Sequence, residues 1–286
     1  MFSKRPDGRI LRNLDPYDKA LCYVMSRRSD AHVYFTEEVD CKYFDEYIEK
    51  KKAEGRDITY LHILMTAIVR AHAQYPALNR FVMNGRIFAR NELTVSMAIK
   101  KKLRSTSTST TVKLPFTGHE SILEVADAID ASISEVKAPG SENKTDRLAA
   151  RVMNAPPILI KLMVWAIKLL DRWNMLPKAI IDASPFHTSV FITYLKSVGI
   201  NGIYHHIYDF GTTGMFLGVG KEIIRPVVDE ETGEVRPGKV VELKVVADER
   251  FCDGMYHAVA MRQVRKYLKN PTLLEQRLET VEKDID

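Results

Sequence analysis

Residues 245–254, with the sequence VVADERFCDG, contain the strongest indication of the fold. A run of β-branched and small apolar residues leads into Asp253-Gly254, and apolar residues at helical spacing follow from Met255. Runs of this kind favour strands, and an Asp-Gly pair favours a tight turn. The stretch therefore predicts a strand that breaks at a turn and continues as a helix.

The composition is that of one globular domain. The chain has 286 residues, of which 45% are hydrophobic and 28% are charged, a balance typical of proteins that bury a substantial core. The sequence has no linker rich in Pro, Gly or Ser and no internal repeat. We therefore expect a single domain over residues 1–286, with residues 1–16 and 276–286 as flexible or extended tails.

Helix and strand patterns alternate along the chain, which is typical of an α/β fold. Asn84-Gly85 indicates a hairpin turn, and Ser121 with Glu124 indicates a capping box. We predict one mixed sheet with flanking helices. The helical patterns cover residues 41–54, 59–74, 121–136, 158–170 and 255–268, and the strand patterns cover 31–40, 93–100, 105–114, 188–195, 213–219, 223–228 and 239–246.

Cysteine usage indicates a reducing compartment. Cys22, Cys41 and Cys252 are odd in number and far apart, without a Cys-x-x-Cys pair. This argues against a disulfide framework and a zinc site and favours the cytoplasm. Charged residues follow within the first seven positions, and no apolar segment of the length of a signal sequence is present there, so we expect no secretory signal.

The most apolar stretch is residues 158–170, which is too short to cross a bilayer and contains Lys161 and Lys168. We therefore expect no transmembrane segment. A buried or subunit-interface helix is the main interpretation of this stretch. A helix that lies on a membrane surface is the alternative.

Basic residues give the chain a net charge of +5 and form two short runs, residues 50–52 and Lys100-Lys101-Lys102. Neither run is interleaved with aromatic residues, and no nucleic-acid motif accompanies them, so we do not expect a nucleic-acid partner. Such runs usually form a solvated face. The alternative for Lys100, Lys101 and Lys102 is a site for an anionic cofactor such as coenzyme A.

Residues 245–254 resemble the His-His-x-x-x-Asp-Gly or His-Arg-x-x-Asp-Gly signature of the chloramphenicol acetyltransferase and dihydrolipoamide acyltransferase superfamily. YPALNRF at 75–81 is similar to the family's His-Pro-x-Leu-Asn stretch. FITYLKSVGI at 191–200 is similar to its Thr-Ile-Ser-Asn-Leu-Gly-Ser-x-Gly segment, and LGVGK at 217–221 to the strand that follows. In this order the four stretches make a specific match.

The resemblance implies the coenzyme A-dependent acyltransferase sandwich, with a mixed β-sheet and flanking helices, assembled as a homotrimer. It implies acyl-coenzyme A as a substrate, a lipoamide-like thiol as acceptor, and a 2-oxo acid dehydrogenase component as a partner. No metal is expected. Asp18-Lys19-Ala20 spells the lipoylation tripeptide, but it is too close to the N-terminus for the hairpin tip of a lipoyl domain. We therefore expect a short member without lipoyl or subunit-binding domains and without an attached lipoyl group.

The resemblance also implies site residues. Glu249 occupies the position of the family's histidine, the general base that deprotonates the acceptor. Thr193 replaces the family's serine, which donates a hydrogen bond to the oxyanion, although a structural strand threonine fits the same pattern. Asp253 corresponds to the family's architectural aspartate, which holds the catalytic loop through an arginine salt bridge.

The replacement of histidine by Glu249 leaves three interpretations open. An ordinary carboxylate, with a pKa of ~4.3, is a weaker base than an imidazole of ~6.5, which corresponds to roughly a hundredfold in proton transfer. Glu249 is then a working base, or a structural carboxylate in a catalytically silent relative, or the base is a residue elsewhere. Arg250 and Lys244 are near enough in sequence to pair with Glu249 and weaken it further.

Histidines are the candidates for a base elsewhere. His205 and His206 follow the Thr193 strand in an aromatic setting, and His257 and His187 are weaker candidates. Adjacent strand residues point to opposite faces, which disfavours a metal pair at His205 and His206. Cys252 is expected to be a small buried apolar residue and not a nucleophile.

The function that we predict is transfer of an acyl group between coenzyme A and a lipoamide-like thiol. The alternative is a catalytically silent acyltransferase-like trimer that acts as a scaffold or binds acyl-coenzyme A.

Overall fold

The computed structural model describes residues 4–100, 109–138, 152–229 and 232–286. Helices and strands alternate along the chain, as the sequence patterns predict. The helices are α1 (Pro16–Val24), α2 (Lys42–Ala53), α3 (Tyr60–Gln74), α4 (Ile122–Lys137), α5 (Pro157–Arg172), α6 (Lys178–Ala183) and α7 (Gly254–Lys269). The strands are β1 (Lys4–Arg5), β2 (Gly8–Ile10), β3 (His32–Asp40), β4 (Arg80–Met83), β5 (Arg86–Arg90), β6 (Leu93–Lys100), β7 (Ser109–Phe116), β8 (Val190–Tyr194), β9 (Met215–Val228) and β10 (Val235–Asp248).

Six strands form the main sheet, in the order β3-β10-β9-β8-β6-β7. β8 is parallel to both of its neighbours, β6 and β9, whereas the other pairs are antiparallel. The predicted mixed sheet is therefore confirmed. A second sheet of four short strands has the order β1-β2-β5-β4.

The inner face of the main sheet carries the large apolar core. Ile192 of β8, Leu217 of β9 and Leu243 of β10 belong to it, together with buried side chains from α2, α3, α4 and α7. Every second residue of these strands points this way. The sheet is thus covered by helices on one side.

The outer face has a much smaller apolar cluster. Phe191, Phe216 and Val246 pack there with Ile207, which belongs to the irregular segment 199–214 between β8 and β9. Thr193 shares this face because it lies two residues beyond Phe191 on β8. Polar and aromatic side chains on this face are therefore positioned away from the helices.

Two local signals that the sequence contains are realised as predicted. Asn84 and Gly85 have φ angles of 50° and 70° and connect β4 to β5. At the start of α4, the Glu124 carboxylate accepts a hydrogen bond from the Ser121 backbone N–H at 2.9 Å, and the Glu124 N–H donates to Ser121 Oγ at 3.4 Å. Local chemistry determines both features.

The strand patterns at 213–219 and 223–228 belong to one strand, β9, and not to two. Its pairing with β10 shifts between Val241 and Leu243. Such a bulge absorbs a change of spacing without ending the strand.

The predicted N-terminal tail, residues 1–16, is part of the fold from Lys4 onwards. β2 pairs with both β1 and β5. The buried guanidinium of Arg5 donates to Asp7 (Nε to Oδ1, 2.8 Å) and to Asp171 at the end of α5 (Nη2 to Oδ1, 2.8 Å). A buried arginine requires such partners, and Asp171 is too distant in sequence for a local pattern to reveal it.

Asp171 also connects Arg5 to His187. His187 Nε2 lies 3.1 Å from Asp171 Oδ2, and His187 Nδ1 lies 2.8 Å from Ser184 Oγ. Burial would raise the pKa of Asp171, but the hydrogen bond with His187 and the charge of Arg5 hold it below its usual value. All three members of this Ser-His-Asp contact are buried. Because both of its ring nitrogens are engaged, His187 is structural and not a base.

The C-terminal residues 276–286 lie extended along the body of the protein. The Glu282 backbone N–H donates to the carbonyl oxygen of Ala73 at 2.8 Å. Arg80 forms a bidentate ion pair with Asp284, with distances of 2.7 and 2.5 Å. These contacts fix the segment to α3 and β4.

Helix α5 is not buried within the chain, so the buried-helix interpretation of residues 158–170 is wrong, and the subunit-interface interpretation stays a prediction. Asp171 is its only buried residue. Ile158, Leu162 and Trp165 are 76%, 56% and 60% exposed. One apolar side of this helix therefore faces solvent in the single chain, whereas Ile160, Met163 and Ile167 on the other side are partly buried.

We predict that Asp171→Ala lowers the free energy of unfolding by about 3–5 kcal/mol, because it leaves the buried Arg5 without its second carboxylate. The measurement is urea denaturation of the purified protein. Lys178→Ala is the matched control, since it removes exposed ion pairs to Glu92 and Asp182 and should cost less than about 1 kcal/mol. Equal losses in the two variants would contradict this account.

Candidate functional site

The turn between β10 and α7 is built around one buried carboxylate, that of Asp248. Arg250 donates to it twice (Nε to Oδ1, 2.8 Å; Nη2 to Oδ2, 2.6 Å), and Arg28 Nε lies 3.3 Å from Oδ2. All three side chains are at most 4% exposed. Burial would lower the pKa of Arg250, but its hydrogen bonds and ion pair with Asp248 raise it above the usual value. The turn is therefore held from inside by ion pairs.

Arg28 connects this turn to the segment between β8 and β9. It donates from Nη1 to the carbonyl oxygen of Tyr208 at 2.6 Å and from Nη2 to that of Gly211 at 3.0 Å. Burial lowers the pKa of Arg28, and the charge of Asp248 opposes this shift. Sequence reasoning missed Arg28, because it precedes β3 in a stretch without periodicity.

The backbone of Glu249 is fixed by a hydrogen bond, whereas its carboxylate is exposed to solvent. Its N–H donates to the carbonyl oxygen of Ala31 at 3.1 Å, and its side chain is exposed. Across the described parts of the chain, no hydrogen bond or ion pair reaches that carboxylate. Arg250 is committed to Asp248, and Lys244 donates to Thr36 Oγ1 at 3.0 Å. Neither Arg250 nor Lys244 therefore forms the ion pair with Glu249 that their positions in the sequence allowed.

With the arginines that the structure describes, Asp253 does not form the salt bridge that the resemblance implies. Its Oδ1 accepts a hydrogen bond from the Tyr256 backbone N–H at 2.7 Å, and it is the N-cap of α7. A carboxylate at this position satisfies a helix donor and interacts favourably with the helix dipole. The arginine pairing belongs to Asp248, five residues earlier, where burial makes it necessary.

Thr193 lies on the outer face of β8, opposite Gly218 of β9. Its side chain is partly buried, and among the residues with described positions its hydroxyl has no hydrogen-bond partner. A partly buried hydroxyl usually finds one. The Thr193 hydroxyl is therefore available to donate to a bound molecule.

Thr193 and Glu249 cannot contact the same reacting atoms within one chain. Thr193 is opposite Gly218, and Gly218 is opposite Lys244, so two strand spacings and the five residues from Lys244 to Glu249 separate them. With about 4.8 Å between strands and 3.3 Å per residue, this separation is roughly 19 Å. The two side chains can meet only across two chains.

Segment 199–210 crosses β9 on the outer face and brings His205 to the sheet. The close approach requires glycine, because a Cβ atom at Gly218 would lie 2.5 Å from the carbonyl oxygen of Ile203. The His205 ring stacks on Phe216, with 4.5 Å between ring centroids and 21° between the planes.

His205 is the predicted histidine that lies near Thr193. A Cβ atom at Gly218, the strand partner of Thr193, would lie 3.7 Å from His205 Cδ2. His205 Nε2 is buried and has no partner among the described residues, and burial lowers the pKa of this histidine. His206 is exposed and meets Tyr208 edge to face at 4.9 Å.

His257 and Cys252 lie away from this face. His257 is buried in α7, with Nδ1 3.0 Å from the carbonyl oxygen of Asp253, and contacts Phe35 of the inner side. Burial lowers its pKa. Cys252 is 5% exposed, as predicted, and burial raises the pKa of its thiol. Neither residue is suited to act on a substrate at the outer face.

His32 is a residue that sequence reasoning missed. It is paired with Asp248 across β3 and β10, next to Glu249, and its Nδ1 lies 3.1 Å from the Tyr34 hydroxyl. Burial lowers its pKa. Strand pairing alone brings His32 here, so no local pattern could have indicated it.

Lys100 ends β6 on the outer face, whereas Lys101 and Lys102 lie outside the described residues. Ser96 of β6 is opposite Phe191 of β8, so Lys100 stands one strand away from Thr193 and two residues further along. The two Cα atoms are therefore roughly 8 Å apart.

The structure adds three observations on ligands and membranes. No group of three or more His, Cys, Asp and Glu residues in the described ranges could hold a metal ion. Lys19 of the Asp-Lys-Ala tripeptide lies within helix α1. None of the helices in these ranges is long and apolar enough to cross a membrane.

Comparison with known families gives one match. The family model for 2-oxoacid dehydrogenases acyltransferase (catalytic domain) matches residues 20–139 and 212–275, which is more than half of the chain. The match includes Glu249 and Asp253 but not Thr193 or His205. No curated protein matches the chain in sequence.

Solved structures show the same fold at low sequence identity. A probable dihydrolipoamide acetyltransferase from Listeria monocytogenes is 17% identical, with 91% of this chain and 94% of that chain covered and a TM-score of 0.57. A chloramphenicol acetyltransferase is 15% identical, with 92% of this chain and 100% of that chain covered and a TM-score of 0.56. A truncated catalytic core of the 2-oxoacid dehydrogenase multienzyme complex from Thermoplasma acidophilum is 16% identical. The match covers 91% of this chain and 98% of that chain, with a TM-score of 0.54.

We predict that Asp248 and Asp253 differ sharply in their effect on stability. Asp248→Ala should lower the free energy of unfolding by about 3–5 kcal/mol, because it leaves the buried Arg28 without its carboxylate. Asp253→Ala should lower the free energy of unfolding by about 1 kcal/mol, the usual effect of a lost N-cap. Asp253→Asn should leave it almost unchanged, since asparagine caps a helix equally well. Urea denaturation tests the order. If Asp253→Asn lowered the free energy of unfolding as much as Asp248→Ala, the result would mean that Asp253 forms the salt bridge after all.

Proposed function

Because this chain belongs to the family of 2-oxoacid dehydrogenase acyltransferase catalytic domains, we propose that it transfers an acyl group between coenzyme A and a lipoamide-like thiol. The observation that carries the proposal is the exposed carboxylate of Glu249. It stands at the family's histidine position, without an ion-pair partner among the described residues, on a turn fixed by Asp248. A base held in place but free at its reactive end suits proton transfer.

The reaction that we propose uses two side chains. The Glu249 carboxylate accepts the proton of the acceptor thiol, and the resulting sulfur attacks the thioester carbonyl carbon of acyl-coenzyme A. Thr193 Oγ donates a hydrogen bond to the oxygen that becomes negative in the tetrahedral intermediate. The carbon–sulfur bond to coenzyme A then breaks, and the proton on Glu249 passes to the leaving thiolate.

The site is shared between neighbouring chains of a homotrimer. The separation of roughly 19 Å between Thr193 and Glu249 in one chain supports this assembly. A neighbour that covers Glu249 would also exclude water from its carboxylate, which strengthens a carboxylate as a base. This effect offsets part of the loss that comes with the replacement of histidine.

Coenzyme A enters from the side of Lys100, Lys101 and Lys102. The position of Lys100 beside Thr193 on the outer face supports this direction. Lysine ammonium groups bind phosphates as point charges, and coenzyme A carries several phosphates. The acyl thioester would then reach the Thr193 hydroxyl.

His205 is the alternative base, because it lies near Thr193 in the same chain. Burial lowers its pKa and so favours the neutral imidazole, the form that is able to accept a proton. His206 is the weaker candidate, since it is exposed to solvent. With His205 as the base, the reaction would not need Glu249.

The protein would work beside a 2-oxo acid dehydrogenase component in a reducing compartment such as the cytoplasm. The solved catalytic core of a 2-oxoacid dehydrogenase complex with the same fold supports that partner. Three cysteines, all buried and unpaired, support the compartment.

We expect release of coenzyme A from acetyl-, propionyl- or succinyl-coenzyme A when dihydrolipoamide is the acceptor. Thr193→Val should lower turnover by about 10²–10³-fold, because the oxyanion loses its donor. Thr193→Ser keeps the hydroxyl and is the matched control, with turnover within about tenfold of wild type. Equal losses in both variants would mean that Thr193 has a structural role.

Glu249→Gln should lower turnover by at least about 10²-fold, since a general base contributes 10²–10⁴-fold. Glu249→His should restore or raise turnover, because imidazole is the stronger base. His205→Gln and His206→Gln distinguish the alternatives: loss of turnover only in these variants would assign the base to a histidine. No turnover in the wild type with any of these substrates, in a protein that remains trimeric, would favour the silent scaffold.

A further inference from the structure

Helix α5 is attached to the protein in an unusual way. An ordinary surface helix turns its apolar face inward and its charged face outward. In α5 the only buried residue is the carboxylate Asp171, which is held by Arg5 and His187. The helix is thus anchored by ion pairs at its C-terminal end. Its Ile160, Met163, Ile167 and Leu170 are only partly buried, and its other large apolar side chains face solvent.

The exposed side chains form one ridge along α5. Ile158, Leu162, Trp165 and Leu169 follow each other at helical spacing and are 76%, 56%, 60% and 39% exposed. Trp173, just after the helix, is 49% exposed and continues the ridge. The helix is about 24 Å long. We call these five side chains the outward ridge.

One flank of the outward ridge is basic. Lys161, Lys168 and Arg172 are exposed and lie on the same side of the helix, again at helical spacing. Asp171 is the only acidic residue of α5, and it is buried and paired. The surface that α5 presents therefore consists of apolar side chains and positive charges only.

We propose that α5 lies on a membrane that contains anionic lipids, with the outward ridge inserted between the headgroups. An amphipathic helix with tryptophan and leucine on one face and lysine or arginine beside it binds such a surface. Tryptophan favours the membrane–water interface, and both tryptophans of the chain, Trp165 and Trp173, belong to the ridge. Since no described helix can span a bilayer, α5 lies in the plane of the surface.

The charges favour a lipid surface over a second copy of the same helix. A symmetric contact between two α5 helices would bring Lys161, Lys168 and Arg172 close to their own copies, without a carboxylate of α5 to neutralise them. Anionic headgroups neutralise them directly, and each lysine near such a surface strengthens binding about fivefold.

The tryptophans allow a direct test on the full-length protein. Vesicles of phosphatidylcholine with phosphatidylglycerol should shift the tryptophan emission to shorter wavelength, and vesicles of phosphatidylcholine alone should shift it much less. Because the only tryptophans are Trp165 and Trp173, the signal reports on this helix alone. The protein should float with the anionic vesicles, and high salt should weaken its binding.

Variants separate the two parts of the surface. Leu162→Glu should abolish flotation, whereas Ile224→Glu, at a 71% exposed apolar residue of β9, should leave it unchanged. The double variant Lys161→Gln with Lys168→Gln should bind anionic vesicles roughly 25-fold more weakly. All substituted side chains are exposed, so the melting temperature should remain that of the wild type.

Two results would overturn the proposal. One is a wild-type emission spectrum that anionic vesicles do not change. The other is a lower oligomeric mass of Leu162→Glu in light scattering, which would mean that another chain covers the ridge. The first result does not bear on acyl transfer, which is measured separately with soluble substrates. The second would make the ridge a contact within the trimer, and acyl transfer by Leu162→Glu would then fall together with its mass.

Discussion

The buried carboxylate of Asp248 is the interaction on which the candidate site depends. It binds Arg250 of its own turn and Arg28 from the segment before β3, and Arg28 in turn holds the carbonyl oxygens of Tyr208 and Gly211. One carboxylate thus fixes the end of β10 and, through Arg28, the segment that covers the outer face. Glu249 follows Asp248 directly, so its backbone is rigid while its side chain is free.

The geometry of the sheet imposes a second constraint. Thr193 on β8 and Glu249 just after β10 are roughly 19 Å apart, so the two side chains cannot form one site within a single chain. The outer face also carries exposed aromatic side chains, among them Tyr34 and Tyr204. Because the Glu249 carboxylate is exposed in the single chain, a neighbouring chain that covered it would change its environment.

Much of the fold could be predicted from the sequence, because local chemistry determines it. The Asn84-Gly85 turn, the Ser121 capping box and the strand–turn–helix at 245–254 are all short-range features. Pairings between distant residues could not be predicted. Arg5 with Asp171, and Arg28 with Asp248, join residues that no periodicity relates, and the resemblance assigned the arginine contact to Asp253. The exposure of α5 could not be predicted either, since an apolar helical pattern does not show which part of a protein packs against the helix.

The most direct test of the shared site is a subunit-mixing experiment. Thr193→Val and Glu249→Gln chains, each inactive alone, are unfolded, mixed in equal amounts and refolded together. If each site combines Thr193 of one chain with Glu249 of its neighbour, random trimers regain about a quarter of wild-type turnover, because one contact in four joins two intact halves. A mixture of trimers of correct mass without recovered turnover would contradict the account.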